Sequence, residues 1–151
     1  MTIEIIRFYR TGDVYGEFSN FAAYPILLQD HVWPTSEHYF QAQKFLDPAY
    51  REKIRTTSSP MTAAKLGRDR SQSIRPDWES VKDQVMRDAV LAKFSQHRKL
   101  TDLLLQTADA EIVEHTVNDR YWADGGDGSG KNMLGIILME IRTLLRNRKV
   151  P

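Results

Sequence analysis

The sequence predicts a helix-rich α+β fold with a small β-sheet. Three observations carry that expectation. Trp78, Val81, Val85, Met86, Ala89 and Ala92 form an apolar stripe at helical spacing and mark one long helix. Met133, Leu134, Ile137, Leu138, Ile141, Leu144 and Leu145 form a wider apolar face and mark another. Short β-branched and aromatic runs lie near the N-terminus, without the regular strand–helix alternation of a doubly wound fold.

The elements follow in order. Ile3 to Tyr9 is β-branched and aromatic, and reads as a strand. Thr11 to Gly16 is turn chemistry. Tyr24 to Leu28 and His31 to Trp33 flank Gln29-Asp30 as the arms of a hairpin. Pro34 stops the strand, and Thr35 or Ser36 can cap the helix that follows. Asp47-Pro48 ends that helix and opens a short one reaching about Arg55. Ser59-Pro60 is an N-cap with proline at the first helical position, for a helix to about Gly67. Asp77 caps the long helix, which reaches about His97. Leu100 to Thr107 is a further helix and Ile112 to Thr116 a short strand. The last helix runs from about Asn132 to Arg146, and its apolar face is core rather than a cofactor box.

Composition narrows the class. At 151 residues, the chain is expected to form one domain over 1–151 with a real core. A hydrophobic share of 41% and a charged share of 27% are ordinary for a soluble globular protein. A net charge of +1 gives no ground for broad nucleic-acid affinity. The basic tail, Arg146, Arg148 and Lys149, complements a helix end. The absence of cysteine excludes disulfides, thiolate metal sites and cysteine nucleophiles, and fits a reducing compartment. With no signal-peptide pattern and no apolar run of membrane-spanning length, the expectation is a cytoplasmic protein without a membrane partner. His31, His38, His97 and His115 are not paired at metal-ligand spacing, so no metal site is expected. His38 reads as packing or surface. No G-x-S-x-G nucleophile motif occurs.

Glu37, Gln41 and Lys44 are the first candidate site. On a helix their spacings, i, i+4 and i+7, put them in one line between Phe40 and Phe45. A carboxylate, an amide and an amine framed by aromatics read as the floor of a pocket. A surface Glu–Lys pair on an amphipathic helix is the alternative reading. The second candidate is the loop Asp124-Gly125-Gly126-Asp127-Gly128-Ser129-Gly130 with Lys131. Gly125 to Lys131 fits G-x-x-x-x-G-K, but Asn132 stands where a nucleotide-hydrolase loop needs Ser or Thr, and no buried strand precedes it. What remains is a backbone that can approach a ligand, with helix-start N–H groups and Lys131 suited to an anion. Tyr121-Trp122 beside Asp124 can stack on a flat ring and hold its polar edge; a loop-anchoring tryptophan is the alternative.

These segments resemble a known family. Phe8-Tyr9, then Tyr15-Gly16-Glu17-Phe18-Ser19-Asn20-Phe21, then Trp33 through Phe45 resemble the NADAR family, also called YbiA-like. Ala64-Lys65-Leu66-Gly67-Arg68, Trp78, Tyr121 through Gly126, and Gly130 through Gly135 extend the resemblance over nearly the whole chain. It implies N-glycosidase chemistry without a cofactor: hydrolysis of the N-glycosidic bond in the first two intermediates of riboflavin biosynthesis, which are pyrimidine ribosylamine phosphates. The products would be a pyrimidine base and ribose 5-phosphate, so the activity would clear reactive metabolites. Other members of the wider family remove ADP-ribose from guanine bases, which makes ADP-ribosylated nucleic acid a second partner class. A non-catalytic nucleotide-binding module is a third reading.

The resemblance gives site roles to Glu37, Lys44, Trp122 and Asp124, and less securely to Trp78, which lies on a core stripe. Glu37 is expected to do acid–base work. Lys44 is either an imine-forming nucleophile or a cation holding the phosphoribose. Asp124 would contact ribose or base, with Trp122 stacked on it. Gln41 lies on the same polar line. Arg68 and Lys131 are candidate phosphate ligands, and Asn132 belongs to the same substrate-binding set.

Overall fold

The structure, a computed structural model, describes residues 3–149. Its elements run β1 (Ile5–Phe8), β2 (Ile26–Leu28), β3 (His31–Trp33), α1 (Ser36–Ala42), α2 (Pro48–Thr56), α3 (Pro60–Gly67), α4 (Trp78–Gln96), α5 (Arg98–Gln106), β4 (Glu111–Glu114) and α6 (Met133–Lys149). A 3-10 turn at Gly16–Phe18 follows the expected turn region. The helix-rich α+β class is the one observed. The strands pair two by two rather than in one sheet. The chain divides into two compact units, one built from the residues up to Ala22 with those from Phe94 onward, the other from Ala23–Lys93.

In the first unit β1 and β4 pair in parallel, from Ile5 opposite Glu111 to Phe8 opposite Glu114. A parallel pair requires a long connection, and here most of the chain intervenes. Phe18 packs edge-on to Phe8 at 5.7 Å between ring centroids, and lies 5.6 Å from Phe94. Helix α6 packs on β4: a Cβ on Gly135 would fall 2.0 Å from the Ile112 carbonyl oxygen, so only glycine permits this approach. Arg142 is buried on α6 and donates to Thr107 Oγ1 at 2.9 Å and to the Ala110 carbonyl at 2.8 Å. Those bonds offset its burial and tie α6 to the segment between α5 and β4.

In the second unit β2 and β3 form the expected hairpin, Leu28 opposite His31. Gln29 and Asp30 both have positive φ, 55° and 63°. That is the mirror-image turn whose twist matches paired strands, built here without glycine. Three helix starts behave as their sequences imply. Thr35, Asp47 and Ser59 accept from the backbone N–H of His38, Ala49 and Thr62. Asp77 stands where the sequence puts the N-cap, directly before Trp78. Its carbonyl accepts from Ser80 and Val81, so its backbone starts α4, but its carboxylate is gripped by Arg75 at 2.6 and 2.9 Å. A bidentate guanidinium outcompetes a single backbone N–H.

The core of this unit surrounds α1, all seven residues of which are buried. Trp33 meets Tyr39 edge-on at 5.2 Å, Phe45 meets Tyr50 at 4.7 Å, and Ile26, Ile54, Ala63 and Ala89 complete the cluster. Among the described residues no helix is long and apolar enough to cross a membrane, and no group of three or more His, Asp or Glu could hold a metal ion.

Candidate functional site

The polar line begins on the buried helix α1. Thr35 Oγ1 accepts from the His38 backbone N–H at 3.2 Å and lies 2.8 Å from His38 Nδ1. His38 Nε2 lies 3.0 Å from the Thr57 carbonyl, which can only accept, so the proton sits on Nε2 and Thr35 donates to Nδ1. Burial lowers the pKa of His38, against a smaller opposite effect of the Thr57 carbonyl. His38 is therefore a neutral packing residue, holding α1 to the end of α2.

Glu37 is 8% exposed and its Oε2 accepts from Gln41 Nε2 at 2.9 Å. The spacing i, i+4 delivers this contact as the sequence implies. The bond fixes the Gln41 amide with its Oε1 buried and without a hydrogen-bond partner. Gly67, at the end of α3, makes room for that amide: a Cβ there would lie 2.0 Å from Gln41 Oε1. Lys44 falls outside the helix, because α1 stops at Ala42. Its N–H reaches back three residues to the Gln41 carbonyl at 3.2 Å. The tighter turn still returns its amine to the same neighbourhood. Lys44 Nζ donates to the Gly67 carbonyl at 3.5 Å and stands 5.9 Å from the Phe40 ring centroid.

Burial is the main influence on Lys44 and lowers its pKa; Glu37 acts in the opposite direction, and the cations Arg70 and Arg68 lower it further. Desolvation therefore outweighs the carboxylate, a balance that spacing alone leaves open. Arg68 caps the C-terminus of α3, and both it and Arg70 are exposed. Arg70 escaped sequence reasoning, although its place two residues beyond Arg68 was a visible signal. Trp78 is buried with its ring 5.1 Å from that of Phe40. It walls the aromatic frame around Lys44 rather than presenting a free stacking face.

The second cluster lies in the other unit, between the end of β4 and the start of α6. Asp124 is buried, and its Oδ1 accepts from the backbone N–H of Thr116 at 3.1 Å and of Gly126 at 2.8 Å. Its Oδ2 lies 2.7 Å from His115 Nδ1. Burial alone would raise its pKa, but the bonds from His115, Gly126 and Thr116 prevail and hold it below the ordinary 3.8. Trp122 is half-buried and edge-on to Tyr121 at 4.9 Å, and Lys131 Nζ sits 5.4 Å from the Tyr121 ring centroid.

Two expectations for this loop need correction. The N–H groups at the start of α6 are not free for an anion. Those of Lys131, Asn132, Met133 and Leu134 donate to the carbonyls of Arg120, Ala123, Tyr121 and Trp122, because the 120–123 segment folds back over them. Asn132 is also spoken for: its Oδ1 accepts from Glu114 N at 3.0 Å and its Nδ2 donates to the Ile112 carbonyl at 2.9 Å. It extends the pairing of β4 instead of facing a ligand. Lys131, exposed on the loop, keeps its charge available.

The NADAR domain profile matches residues 7–146. The chain is 64% identical over 145 residues to "N-glycosidase YbiA" of Escherichia coli, covering 96% of this chain and 91% of that one. The NMR structure of that E. coli protein superposes with a TM-score of 0.92 at 63% identity, covering 99% of this chain and 89% of that chain. The chain is also 42% identical to "Riboflavin biosynthesis protein PYRR, chloroplastic" of Zea mays, covering 92% of this chain and 25% of that longer protein.

Proposed function

We propose, from the fact that this chain belongs to the NADAR family, that it is an N-glycosidase acting on intermediates of riboflavin biosynthesis. Its substrates are pyrimidine ribosylamine phosphates, and its reaction breaks the ribosyl C–N bond and releases ribose 5-phosphate. The names of the E. coli and maize relatives support the reaction and the pathway. The family profile runs through both compact units, which supports treating 1–151 as a single functional domain. A cytoplasmic setting belongs to the same reading and is supported by the cysteine-free composition.

The observation that carries the chemistry is a carboxylate withdrawn from water beside a desolvated amine, Glu37 and Lys44. A ribosylamine opens to an imine between C1′ and the base nitrogen. The Lys44 amine adds to C1′, the C1′–N bond breaks, and its electron pair leaves with the amine nitrogen. Glu37 supplies that nitrogen with a proton. Water then adds to the Lys44 imine, passes a proton to the Glu37 carboxylate, and releases the aldehyde of ribose 5-phosphate with the free lysine. Atoms and protons balance over the cycle, and no cofactor enters it.

Arg68 and Arg70 add positive charge around Lys44, opposed by Glu37, an arrangement suited to a phosphate dianion. Gln41 Nε2 donates to Glu37 Oε2 at 2.9 Å and so holds that carboxylate in place.

Glu37→Gln tests the central role. It keeps the shape and can still accept from Gln41, but it carries no titrating proton. Turnover is expected to fall by about a hundredfold or more while ribose 5-phosphate still binds. Near-normal turnover in this variant would remove Glu37 from the chemistry.

A further inference from the structure

Arg51 is a cation with no acid to answer it. It lies in α2, and its Nη2 donates to two neutral amide oxygens, Gln29 Oε1 at 2.9 Å and Gln43 Oε1 at 2.8 Å. Among the described residues no carboxylate pairs with it, and its Nε and Nη1 hydrogens meet no acceptor. A guanidinium keeps its charge in a folded protein. Gln43 is buried, and turning its oxygen to Arg51 leaves its Nε2 buried without a partner. An orphaned buried donor carries a desolvation penalty, so the orientation of this amide is fixed by the cation it holds.

Arg51 lines a cavity of about 260 Å³ with Gln29, His31, Trp33, Pro48 and Glu52. Local periodicity brings these residues together. Pro48, Arg51 and Glu52 stand at i, i+3 and i+4 on one face of α2, and His31 and Trp33 at i and i+2 on one face of β3. Trp33 Nε1 donates to the Leu28 carbonyl at 3.0 Å, so Trp33 offers the cavity only its ring, and His31 meets that ring edge-on at 6.4 Å. Arg55 braces the wall. Its Nη1 donates to the Val32 carbonyl at 3.0 Å and its Nε to Glu52 Oε2 at 2.8 Å, and this bond holds the Glu52 carboxyl below the usual range and therefore ionised. Gln43 follows Gln41 by two residues and so lies across α1 from the Glu37–Gln41 bond.

We infer that this cavity is a second binding site, for a small planar monocarboxylic acid whose carboxylate bonds to Arg51 and whose ring lies against the wall of Trp33 and His31. Three features select that class. The unanswered guanidinium calls for an anion. The ionised Glu52 on the same cavity opposes a second negative charge, which disfavours a phosphate dianion. The volume is below that of a pocket for drug-sized molecules and admits one ring with its substituent. The site stands apart from the N-glycosidase reading and does not rest on it.

Benzoate is the probe, with benzamide as its neutral isostere and inorganic phosphate as the dianion. Benzoate added to the wild-type chain is expected to shift the Arg51 Nε–H and Trp33 Nε1–H resonances saturably, in the millimolar range expected for so small a ligand. Benzamide and phosphate are expected to bind there about tenfold more weakly or worse, and Arg51→Gln is expected to weaken benzoate by a similar factor. Arg51→Gln also disturbs the bonds to Gln29 and Gln43, so Glu52→Gln, at an exposed position, supplies an independent reading. It is expected to tighten benzoate and to admit phosphate, because it removes the opposing charge. An arginine that only braces the hairpin predicts that benzoate moves neither resonance. That result, benzamide bound as tightly as benzoate, or benzoate bound no more tightly by Glu52→Gln than by the wild type overturns the assignment.

Discussion

Lys44 shows how much one residue's chemistry depends on its surroundings. An exposed lysine is almost wholly protonated at neutral pH and a poor nucleophile. Here burial lowers its pKa against the pull of Glu37. The folded value lies below the ordinary 10.5, so the unfolded chain holds more protons between the two values. In that window, stability from this group rises with pH, and the reactive neutral amine appears at lower pH than on a free lysine. Lys44→Arg keeps the charge but not the nucleophile. The variant is expected to be inactive, and borohydride added during wild-type turnover is expected to leave a sugar adduct on Lys44, read by mass spectrometry. An active arginine variant with no trapped adduct would leave Glu37 to activate water directly. The meeting of Glu37 and Gln41 was legible from their i, i+4 spacing, because helical periodicity sets it; Lys44 lies beyond the end of α1, and a tighter turn that spacing does not announce returns it to the same neighbourhood. The protonation balance was not, because it depends on α3 and the arginines that follow it. His115 was overlooked because its partner Asp124 lies across a loop, nine residues on, where no period links them.

At the scale of elements, α1 is a short helix buried on every side, and α3 must approach it closely. Gly67 is the point of contact. Gly67→Ala would drive a methyl group into the Gln41 amide, which would have to swing away and break its bond to Glu37. Activity is expected to fall at a modest stability cost of about 1–2 kcal/mol. Adding Gln41→Ala should recover the stability and not the activity, as read by melting and turnover of the single and double variants. If Gly67→Ala were as active as wild type, the Glu37–Gln41 pair would not matter to the reaction. Most element boundaries were legible because punctuation residues act locally: Thr35, Asp47 and Ser59 cap their helices through bonds spanning two or three residues. The start of α6 was misread for the complementary reason. Its N–H groups are covered by carbonyls of the 120–123 segment, a fold-back that glycine-rich composition suggests only as freedom and not as a contact.

At the scale of the molecule, the β1–β4 pairing joins Ile5–Phe8 to Glu111–Glu114 with most of the chain between them, and no local pattern announces it. The same distance in sequence explains why the strands were foreseen but their division into two pairs was not. Each compact unit carries one polar cluster, Glu37, Gln41 and Lys44 in one and His115 and Asp124 in the other. Family membership assigns the chain one reaction, the scission of an N-glycosidic bond. The most direct test offers the pure protein a pyrimidine ribosylamine 5-phosphate and, separately, DNA bearing ADP-ribosylated guanine, and follows the sugar released. The expected result is ribose 5-phosphate in equal amount to the freed pyrimidine, with little or no ADP-ribose from the DNA. Release of ADP-ribose alone would contradict the assigned substrate, and release of neither would contradict the assignment as an N-glycosidase.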